Sequence, residues 1–504
     1  MGLVTIGVDI GTTGTKAVAL DADGEVKARS YYEYAVHNPK PLWFEQSPHD
    51  ILSATISSIR EVMNCPQVNS QKVVAVCFSV QGGTLIPVDS RGAPVRSAIT
   101  WLDKRAVPQC SELTRIIGHK SILEACGREP IPAFMVPKIL WLKENEPEVF
   151  KRADKFLQVQ DFIIMQLTGK CVTDLSNTSF LEPIIFDAKK VEWSNDILNL
   201  IGLSEDMLPE LRETGDLVGE LTREMEMKTQ LPSGTPIILG GHDQCMATVG
   251  AGTIEPGIAL LSAGTSWALV TSLESPIPNS AEYFCYRHTI RGKWLLLTSS
   301  PCGVALRWFR DQLGEAEKEK ACSLNKDPYD LLTEKAADTE SGSKGLIFLP
   351  FLAGALDDYE AKGCFIGLTL AHTKGHLIRA VLEGNAMEVI HMTEIFENLG
   401  KSIHEYRFIG GASKSALWQQ IIADTTQKAV ITLKNREAAS LGAAIIGGES
   451  VGMFKDVKEG VQKAVSIHNR TEPRKEYEGI YNNKMQVYRT ICESLKPYWK
   501  TLST

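Results

Sequence analysis

The sequence predicts an α/β protein built from two related halves, and three observations predict it. The chain opens on a strand, turn and strand, Val4-Thr-Ile-Gly-Val-Asp-Ile-Gly-Thr-Thr-Gly-Thr-Lys-Ala-Val-Ala-Leu20, whose β-branched alternation stops at a carboxylate and resumes after a Gly/Thr turn. The same pattern returns at Pro256-Gly-Ile-Ala-Leu-Leu-Ser-Ala-Gly-Thr-Ser-Trp-Ala-Leu-Val-Thr271, with Ser262 where the first copy has Asp9. Between them, Val73-Val-Ala-Val-Cys-Phe-Ser79 is a continuous apolar run of the parallel-sheet kind. It delivers Gln81-Gly82-Gly83 to its carboxyl end, where ligands sit in open α/β sheets. Two copies of one hairpin imply an internal duplication, each half offering one turn to a central cleft. The boundary falls near Thr253 to Pro256, giving domains 1–253 and 254–504.

The remaining elements follow in order. Asp21-Ala-Asp-Gly24 reads as a turn and 26–34 as a third strand. Ser47-Pro-His-Asp50 reads as a helix start, with Pro near the first helical position and apolar residues at helical spacing through Met63. The runs 85–88 and 98–103 are expected to continue the layer of the 73–79 strand. In 134–145, Pro137 opens a helix whose face of Ile139, Leu140 and Leu142 indicates packing. Asp161 and Thr173-Asp-Leu-Ser-Asn177 form a polar knot between apolar segments. A strand, a Gly-Gly turn and a helix opener fill 406–415, and the small side chains of 437–448 suggest close packing under a nucleotide. A last helix runs over 481–498.

At 504 residues, 43% hydrophobic and 23% charged, the composition is that of a globular protein of two or three domains. A net charge of −8 with no Lys/Arg block argues against nucleic acid or an anionic membrane as partner. No apolar run reaches membrane-spanning length, the first residues read as a strand rather than a signal segment, and Ile6 stands where a myristoylation signal has Ser or Thr. The expected location is the cytoplasm. Eleven cysteines without a Cys-x-x-Cys pair read as buried reduced thiols rather than disulfides or zinc ligands.

The first turn carries the chemistry. Gly11 and Gly14 let backbone N–H groups converge on an anion, Thr12, Thr13 and Thr15 add hydroxyls, Lys16 adds a cation, and Asp9 can hold a divalent metal or its water shell. A nucleotide tail suits this set better than other common ligands. An ordinary glycine-rich hairpin accounts neither for three threonines in four residues nor for an aspartate ending a buried strand. The second copy, Gly264-Thr265-Ser266, lacks the metal carboxylate. Gly410-Gly411 ahead of a helix is a third anion site, although packing alone also places Gly-Gly at such joints. Asp243 follows an apolar strand and two glycines, so its carboxylate ends a strand where a base can act; a helix N-cap is a compatible role. Trp101, Asp103 and Arg105 read equally as an aromatic beside a surface salt bridge or as a polyol site. No Gly-x4-Gly-Lys-Ser/Thr loop and no kinase-type His-Arg-Asp loop occurs.

The turn from Asp9 to Thr15, Gly241-His-Asp-Gln244, Gly264-Thr-Ser266 and Gly410-Gly-Ala412 resemble, in order and spacing, the FGGY carbohydrate kinases. The segments 134–145, 363–370 and 379–383 look like those by which that family is usually identified. The resemblance covers essentially the whole chain. It implies two ribonuclease-H-like domains of the actin/hexokinase ATPase type around a cleft, and transfer of phosphate from ATP with Mg2+ to a ketose, polyol, glycerol or sugar acid. The first domain would bind sugar and carry the base, and the second would bind the nucleotide. By resemblance Asp243 is the catalytic base and Asp9 stands beside the metal and the transferred phosphoryl group. Thr12, Thr13, Gly264 and Thr265 match the β/γ-phosphate turns, while Gly303, Arg307, Gly411 and Ser415 match nucleotide-lining positions. Gln81, Gly82, Gly83, Trp101 and Asp103 match positions near the sugar.

Two departures bear on substrate. Relatives acting on xylulose or glycerol carry larger polar side chains where this chain has Gly82-Gly83, and a Gly-Glu-Arg-type loop is replaced by Ala353-Gly-Ala-Leu-Asp-Asp-Tyr359. Glycine at 82 and 83 predicts a wider, donor-poor pocket and a substrate larger than glycerol, a ketose or sugar alcohol of five or six carbons. The rivals are an actin- or chaperone-like ATPase, weakened by the absence of a peptide-binding domain, and a sugar-sensing pseudokinase, weakened by retention of Asp9 and Asp243. The expected partners are a small sugar or polyol and ATP, with a homodimer as the assembly to test.

Overall fold

The computed structural model describes residues 2–355, 358 and 360–502. Leu356, Asp357 and Tyr359, part of the loop noted above, lie outside the described residues. Packing divides the chain into two units. The first comprises Met1–Ile254, Ser272–Leu296 and Glu437–Ser466; the second comprises Glu255–Thr271, Leu297–Arg436 and Ile467–Thr504.

The first unit is organised on six strands: β1 (Val4–Ile10), β2 (Gly14–Asp21), β3 (Val26–Glu33), β4 (Val73–Val80), β5 (Leu217–Glu220) and β6 (Pro236–His242). Their order is β5-β6-β4-β1-β2-β3. β1, β4 and β6 are parallel, so their carboxyl ends share one edge, while β2, β3 and β5 run antiparallel to their neighbours. Side chains alternate across the sheet. Val4, Ile6 and Val8 pack with the helices Pro48–Met63 and Val159–Thr168, whereas Val18 and Leu20 pack with Asp243–Ala251 and Ala438–Ser450. The Pro48–Met63 helix starts as its sequence dictates, with the Ser47 hydroxyl accepting from the Asp50 N–H at 3.2 Å and Pro48 in the first turn.

Two expectations are corrected here. The runs after β4 do not extend its layer: Ile86–Val88 pairs with Lys155–Leu157 and Ala98–Ile99 with Glu45–Gln46, each as a separate two-stranded sheet. The runs are short, and Pro87 brings no N–H to a central ladder. The Ala/Gly-rich helix Ala438–Ser450 packs against the first sheet rather than under a nucleotide. Its backbone approaches β1 so closely that a methyl group on Gly7 would collide with the Ser440 carbonyl, and it approaches the helix Asp243–Ala251 so closely that one on Gly442 would collide with the Met246 carbonyl.

A second sheet repeats the plan with one strand more. Strands β7 (Ile258–Ala263), β8 (Trp267–Leu273), β9 (Trp294–Ser300), β10 (Glu405–Gly410), β11 (Ala429–Leu433) and β12 (Ile467–Thr471) lie in the order β9-β8-β7-β10-β11-β12, and a seventh strand, Phe284–Arg287, lies beyond β9. The hairpin β7/β8 answers to β1/β2, parallel β7-β10-β11 to β1-β4-β6, and antiparallel β12 to β5. The duplication read from two hairpins thus extends to these strand pairings, while the seventh strand has no counterpart in the first sheet. Lys374–Asn398 is the longest helix of the second unit. Its buried Glu383 accepts from Arg379 at 2.9 Å, Lys484 at 2.5 Å and Ser343 at 2.9 Å, which fixes the helix to Glu478–Trp499. Among the described residues, no helix is long and apolar enough to cross a membrane.

Candidate active site

In the first unit the parallel strands bring their ends together. Asp9 lies opposite Ser79, and Ser79 in turn opposite Gly241, so the final residues of β1, β4 and β6 form one ledge. The Ser79 hydroxyl donates to Asp9 Oδ1 at 2.7 Å, leaving Oδ2 for a metal or its water. Burial raises the Asp9 carboxyl to about 7 against that hydrogen bond, Asp243 adds to the rise, and Lys16 opposes it. Lys16 faces Asp9 across the hairpin and pairs with Glu437 at 2.6 Å.

The turn itself is closed by Gly11 N–H donating to the Gly14 carbonyl at 3.0 Å. Thr13 is exposed, and the Thr12 hydroxyl accepts from Trp101 Nε1 at 3.0 Å. Thr15 departs from expectation: strand alternation turns it away from Asp9 and Lys16, and it is fully buried.

Asp243 is the first residue of its helix, so it is not the cap; His242 holds that position and supplies no side-chain capping bond. The carboxyl is raised to about 6 by burial, opposed by hydrogen bonds from the Gln244 backbone and side chain. His242 stands 3.4 Å from Asp243 Oδ1, and its other ring nitrogen lies 3.2 Å from the Tyr286 hydroxyl. Burial lowers this imidazole to about 4, so at neutral pH it is an uncharged neighbour and not an ion-pair partner.

The sugar-side residues divide. Gln81 is anchored by its N–H to the Ile10 carbonyl at 2.9 Å and by its side chain to Gln46 at 2.9 Å. Trp101 leaves about a third of its surface open, at 37%. Asp103, by contrast, is buried and accepts from Phe44 N–H at 2.7 Å and from Arg105 Nε at 2.9 Å and Nη2 at 2.8 Å. The Arg105 guanidinium lies 3.9 Å from the Trp43 ring and 5.0 Å from Trp141. This is a buried ion pair that holds the segment presenting Trp101, neither a surface bridge nor an open ligand.

The expectation of extra room at Gly82 and Gly83 is overturned. A methyl group on Gly82 would collide with Leu181 and come within 3.0 Å of Asn177 Oδ1 and His242 Cδ2. One on Gly83, at φ +70°, would come within 2.6 Å of the Ala133 carbonyl. Leu181 of the helix Leu175–Leu181 and the backbone at Ala133 close over the glycines, so the space beside them is filled. Gly83 is pinned at both polar groups, its N–H donating to Gln158 at 3.1 Å and its carbonyl accepting from Lys138 at 2.6 Å. Lys138 is fully buried and burial lowers it to about 7. Sequence reading missed Lys138, Gln46, Gln158 and His242; a lysine inside the apolar face of 134–145 was the available signal.

The second unit contains a cavity of about 430 Å³, within the range of small-molecule sites. Gly264, Thr265, Gly303, Arg307, Gly411 and Ser415, brought from three distant parts of the chain, all line it. Gly410 and Ser266 do not line it but support it. Gly410 adopts φ +90° against the Ala263 carbonyl, and the Ser266 hydroxyl donates to the Ser300 carbonyl at 3.0 Å. A methyl group on Gly303 would collide with the Gly264 carbonyl, whereas one on Gly411 would meet nothing within 4 Å. Ser415 caps the helix Ala416–Thr426 by accepting from Trp418 N–H at 3.3 Å. Tyr329, Asp330, Lys414 and Trp418 also line it, with the acidic Asp327 beside them, and were not found from sequence. A glycine turn, a capped helix start and the cations Arg307 and Lys414 make a site suited to a polyphosphate, with Tyr329 and Leu306 as apolar surface for a base.

Among the described residues, no group of three or more His, Cys, Asp and Glu could by itself hold a metal. Magnesium does not demand one, since it commonly binds one or two carboxylates together with substrate phosphates and water. Asp9, whose Oδ2 accepts no hydrogen bond among the described residues, fits that use.

A carboxylate pair on a strand ledge in one unit and a phosphate-type cavity in a duplicate of the same plan define a phosphotransferase of the two-domain actin/hexokinase-like fold. The match is to a single family: residues 4–250 fit the N-terminal domain of the FGGY family of carbohydrate kinases and residues 259–450 fit its C-terminal domain. The chain belongs to that family and is a carbohydrate kinase; sugar kinases of the family use ATP and generally require Mg2+. It is 29% identical over 496 residues to xylulose kinase of Bacillus subtilis, covering 97% of both chains. It is 28% identical over 502 residues to gluconokinase of the same organism, covering 97% of this chain and 96% of that one. Ligand-bound xylulose kinase from Lactobacillus acidophilus matches with a TM-score of 0.88 and 27% identity, over 99% of this chain and 100% of that chain. Family membership sets the ATPase rival aside.

Proposed function

We propose that this kinase transfers the γ-phosphate of ATP to a hydroxyl of a ketose or sugar alcohol of five or six carbons, releasing ADP. Asp243 acts as general base on that hydroxyl, and Asp9 holds Mg2+ and positions the phosphoryl group. The carrying observation is the placement of these two carboxylates on one ledge, with Asp243 poised at about 6 and Asp9 beside the phosphate turn. Gln81 and Trp101 border the sugar; Gly11, Thr12, Thr13 and Lys16 receive the transferred phosphate. The cavity of the second unit takes the nucleotide, through Gly264, Thr265, Arg307 and Gly411. On this reading 1–253 carries sugar binding and the base, and 254–504 the nucleotide. The substrate range rests on the relatives named xylulose kinase, no longer on room at the two glycines, while the relatives named gluconokinase are why aldonates belong among the sugars tested. The eleven free cysteines support a reducing, cytoplasmic setting.

The test is coupled ADP release across ketopentoses, ketohexoses, polyols, glycerol and aldonates, followed by Asp243→Ala and Asp9→Asn on the best substrate. Loss of the base is expected to lower turnover by about 10²–10⁴ while ATP affinity persists. Asp9→Asn should instead weaken the Mg2+ dependence. Glycerol as best substrate, or near-normal turnover in Asp243→Ala, refutes the reading.

A further inference from the structure

Lys414 lines two cavities of the second unit. One is the cavity of about 430 Å³ described above; the other, of about 50 Å³, is walled by the carboxyl ends of β10 and β11, by His468 of β12 and by Gln419 of the helix Ala416–Thr426. The smaller one has room for a few water molecules or one small ion. Lys414, Arg436 and His468 stand in its wall, and no acidic residue does. All three are exposed, and among the described residues none of them makes an ion pair or a side-chain hydrogen bond. A single surface cation is ordinarily just solvated, but cations gathered on one pocket without a counter-charge repel one another, and an anion relieves that.

The remaining polar side chains of the wall are committed, with one exception. Gln419 Nε2 donates to the Ser413 carbonyl at 2.9 Å, and its Oε1 accepts from Asn469 at 3.0 Å and Thr471 at 3.2 Å. The Ser413 hydroxyl donates to the Gly410 carbonyl at 2.7 Å. Thr432 is the exception: it lines the pocket, is 5% exposed, and its buried hydroxyl has no partner among the described residues. A buried hydroxyl left without a partner is uncommon and costly, and beside three cations the ligand that completes it is an acceptor.

We propose that this pocket binds a phosphate group, inorganic or carried as a phosphoester, and that its occupancy weakens nucleotide binding by drawing Lys414 away from the larger cavity. A tetrahedral oxyanion presents acceptors in several directions at once, enough for the Thr432 hydroxyl, the Arg436 fork, the Lys414 ammonium and an N–H of His468, which an imidazole retains in either charge state. The volume admits the phosphate and leaves the body of an ester outside, where the exposed cations open the pocket to solvent. Phosphoryl transfer itself does not call on this pocket, so its role is regulatory. The coupling rests on the nucleotide reading of the larger cavity; the binding does not.

The experiment titrates inorganic phosphate, and separately ribose 5-phosphate, into the full chain by calorimetry at low ionic strength, and measures ATP affinity with and without saturating phosphate. Phosphate is expected to bind in the millimolar range or tighter and to lower ATP affinity about fivefold, levelling off once the pocket is full. Arg436→Gln and Thr432→Val, neither of which lines the larger cavity, are expected to weaken phosphate binding by about tenfold and to remove its effect on ATP, with the phosphate-free ATP affinity and melting temperature of wild type. Tighter binding of the ester supports the inference with a phosphorylated metabolite as ligand, and equal binding supports it with phosphate itself. No phosphate binding to wild type, or binding equally strong in both variants, overturns it. So does a loss of ATP affinity that grows without levelling and is the same in Arg436→Gln, because the phosphate then sits in the nucleotide cavity. Failure of wild type to bind ATP overturns the nucleotide reading and the coupling with it, whereas phosphate binding lost in Arg436→Gln still marks the pocket.

Discussion

Asp243 operates close to its own ionisation, and two consequences follow. Burial raises the carboxyl from its ordinary 3.8 to about 6, so the fraction able to accept a proton falls below pH 6. The expected kcat/KM profile declines about tenfold per unit on the acid side, with its midpoint near 6; a flat profile down to pH 5 would exclude Asp243 as base. The same shift bears on stability. A carboxyl raised in the folded state binds its proton more tightly there than when unfolded, so folding is penalised as pH rises through 4 to 6, and the penalty is complete above that. Asp243→Asn is therefore expected to melt higher than wild type at pH 7.5, with the difference shrinking toward pH 4. Asp9 and Asp243 stood out in the sequence because an apolar run leads into each and glycines stand beside it, although Asp243 proves to open a helix rather than to end the strand. Lys138 and His242 were not. The run around Lys138 read as ordinary packing and His242 was passed over beside Asp243, and what makes them special is burial against Gly83 and Tyr286, contacts made by residues far away in sequence.

Elements were legible where local rules decide them. Ser47 with Pro48 started a helix, and the two glycine hairpins formed as read. Destinations were not legible: the small residues of Ala438–Ser450 announce close packing without saying against what, and only the fold shows them against β1. The glycines of the nucleotide cavity give a test at this scale. Gly303 and Gly411 both line it, yet only Gly303 has a carbonyl in the way of a side chain. Gly411→Val is expected to keep the wild-type melting temperature while ATP affinity falls by about tenfold or more, since its side chain enters the cavity. Gly303→Val is expected to destabilise the protein itself by about 1–3 kcal/mol, the cost of overpacking. Calorimetric ATP titrations and thermal melts on both variants separate the two; unchanged ATP affinity in Gly411→Val would remove this turn from the nucleotide site.

On the scale of the molecule, function and folding divide the chain differently. The proposed division of labour cuts once near Thr253, because the chemistry of the two halves is read from successive motifs. Packing assigns 272–296 and 437–466 to the first unit as well. Leu441, Ile445, Ile446 and Phe454 bury against Val18, Leu20, Cys77 and Ile238 of its sheet, and Gly7 exists to admit the Ser440 backbone. Each large apolar side chain so buried contributes about 1.5–3 kcal/mol, so losing this layer rivals the 5–15 kcal/mol that typically holds a whole protein folded. A fragment of residues 1–253 is therefore expected not to fold by itself despite containing the complete first sheet, Asp9 and Asp243. It should show exposed apolar surface to a hydrophobic dye and dispersed-signal loss in its proton–nitrogen correlation spectrum. Joining 437–466 to it through a flexible linker should restore cooperative unfolding. A fragment 1–253 that melts cooperatively without that segment would mean the Ala438–Ser450 helix is dispensable to the first unit's core.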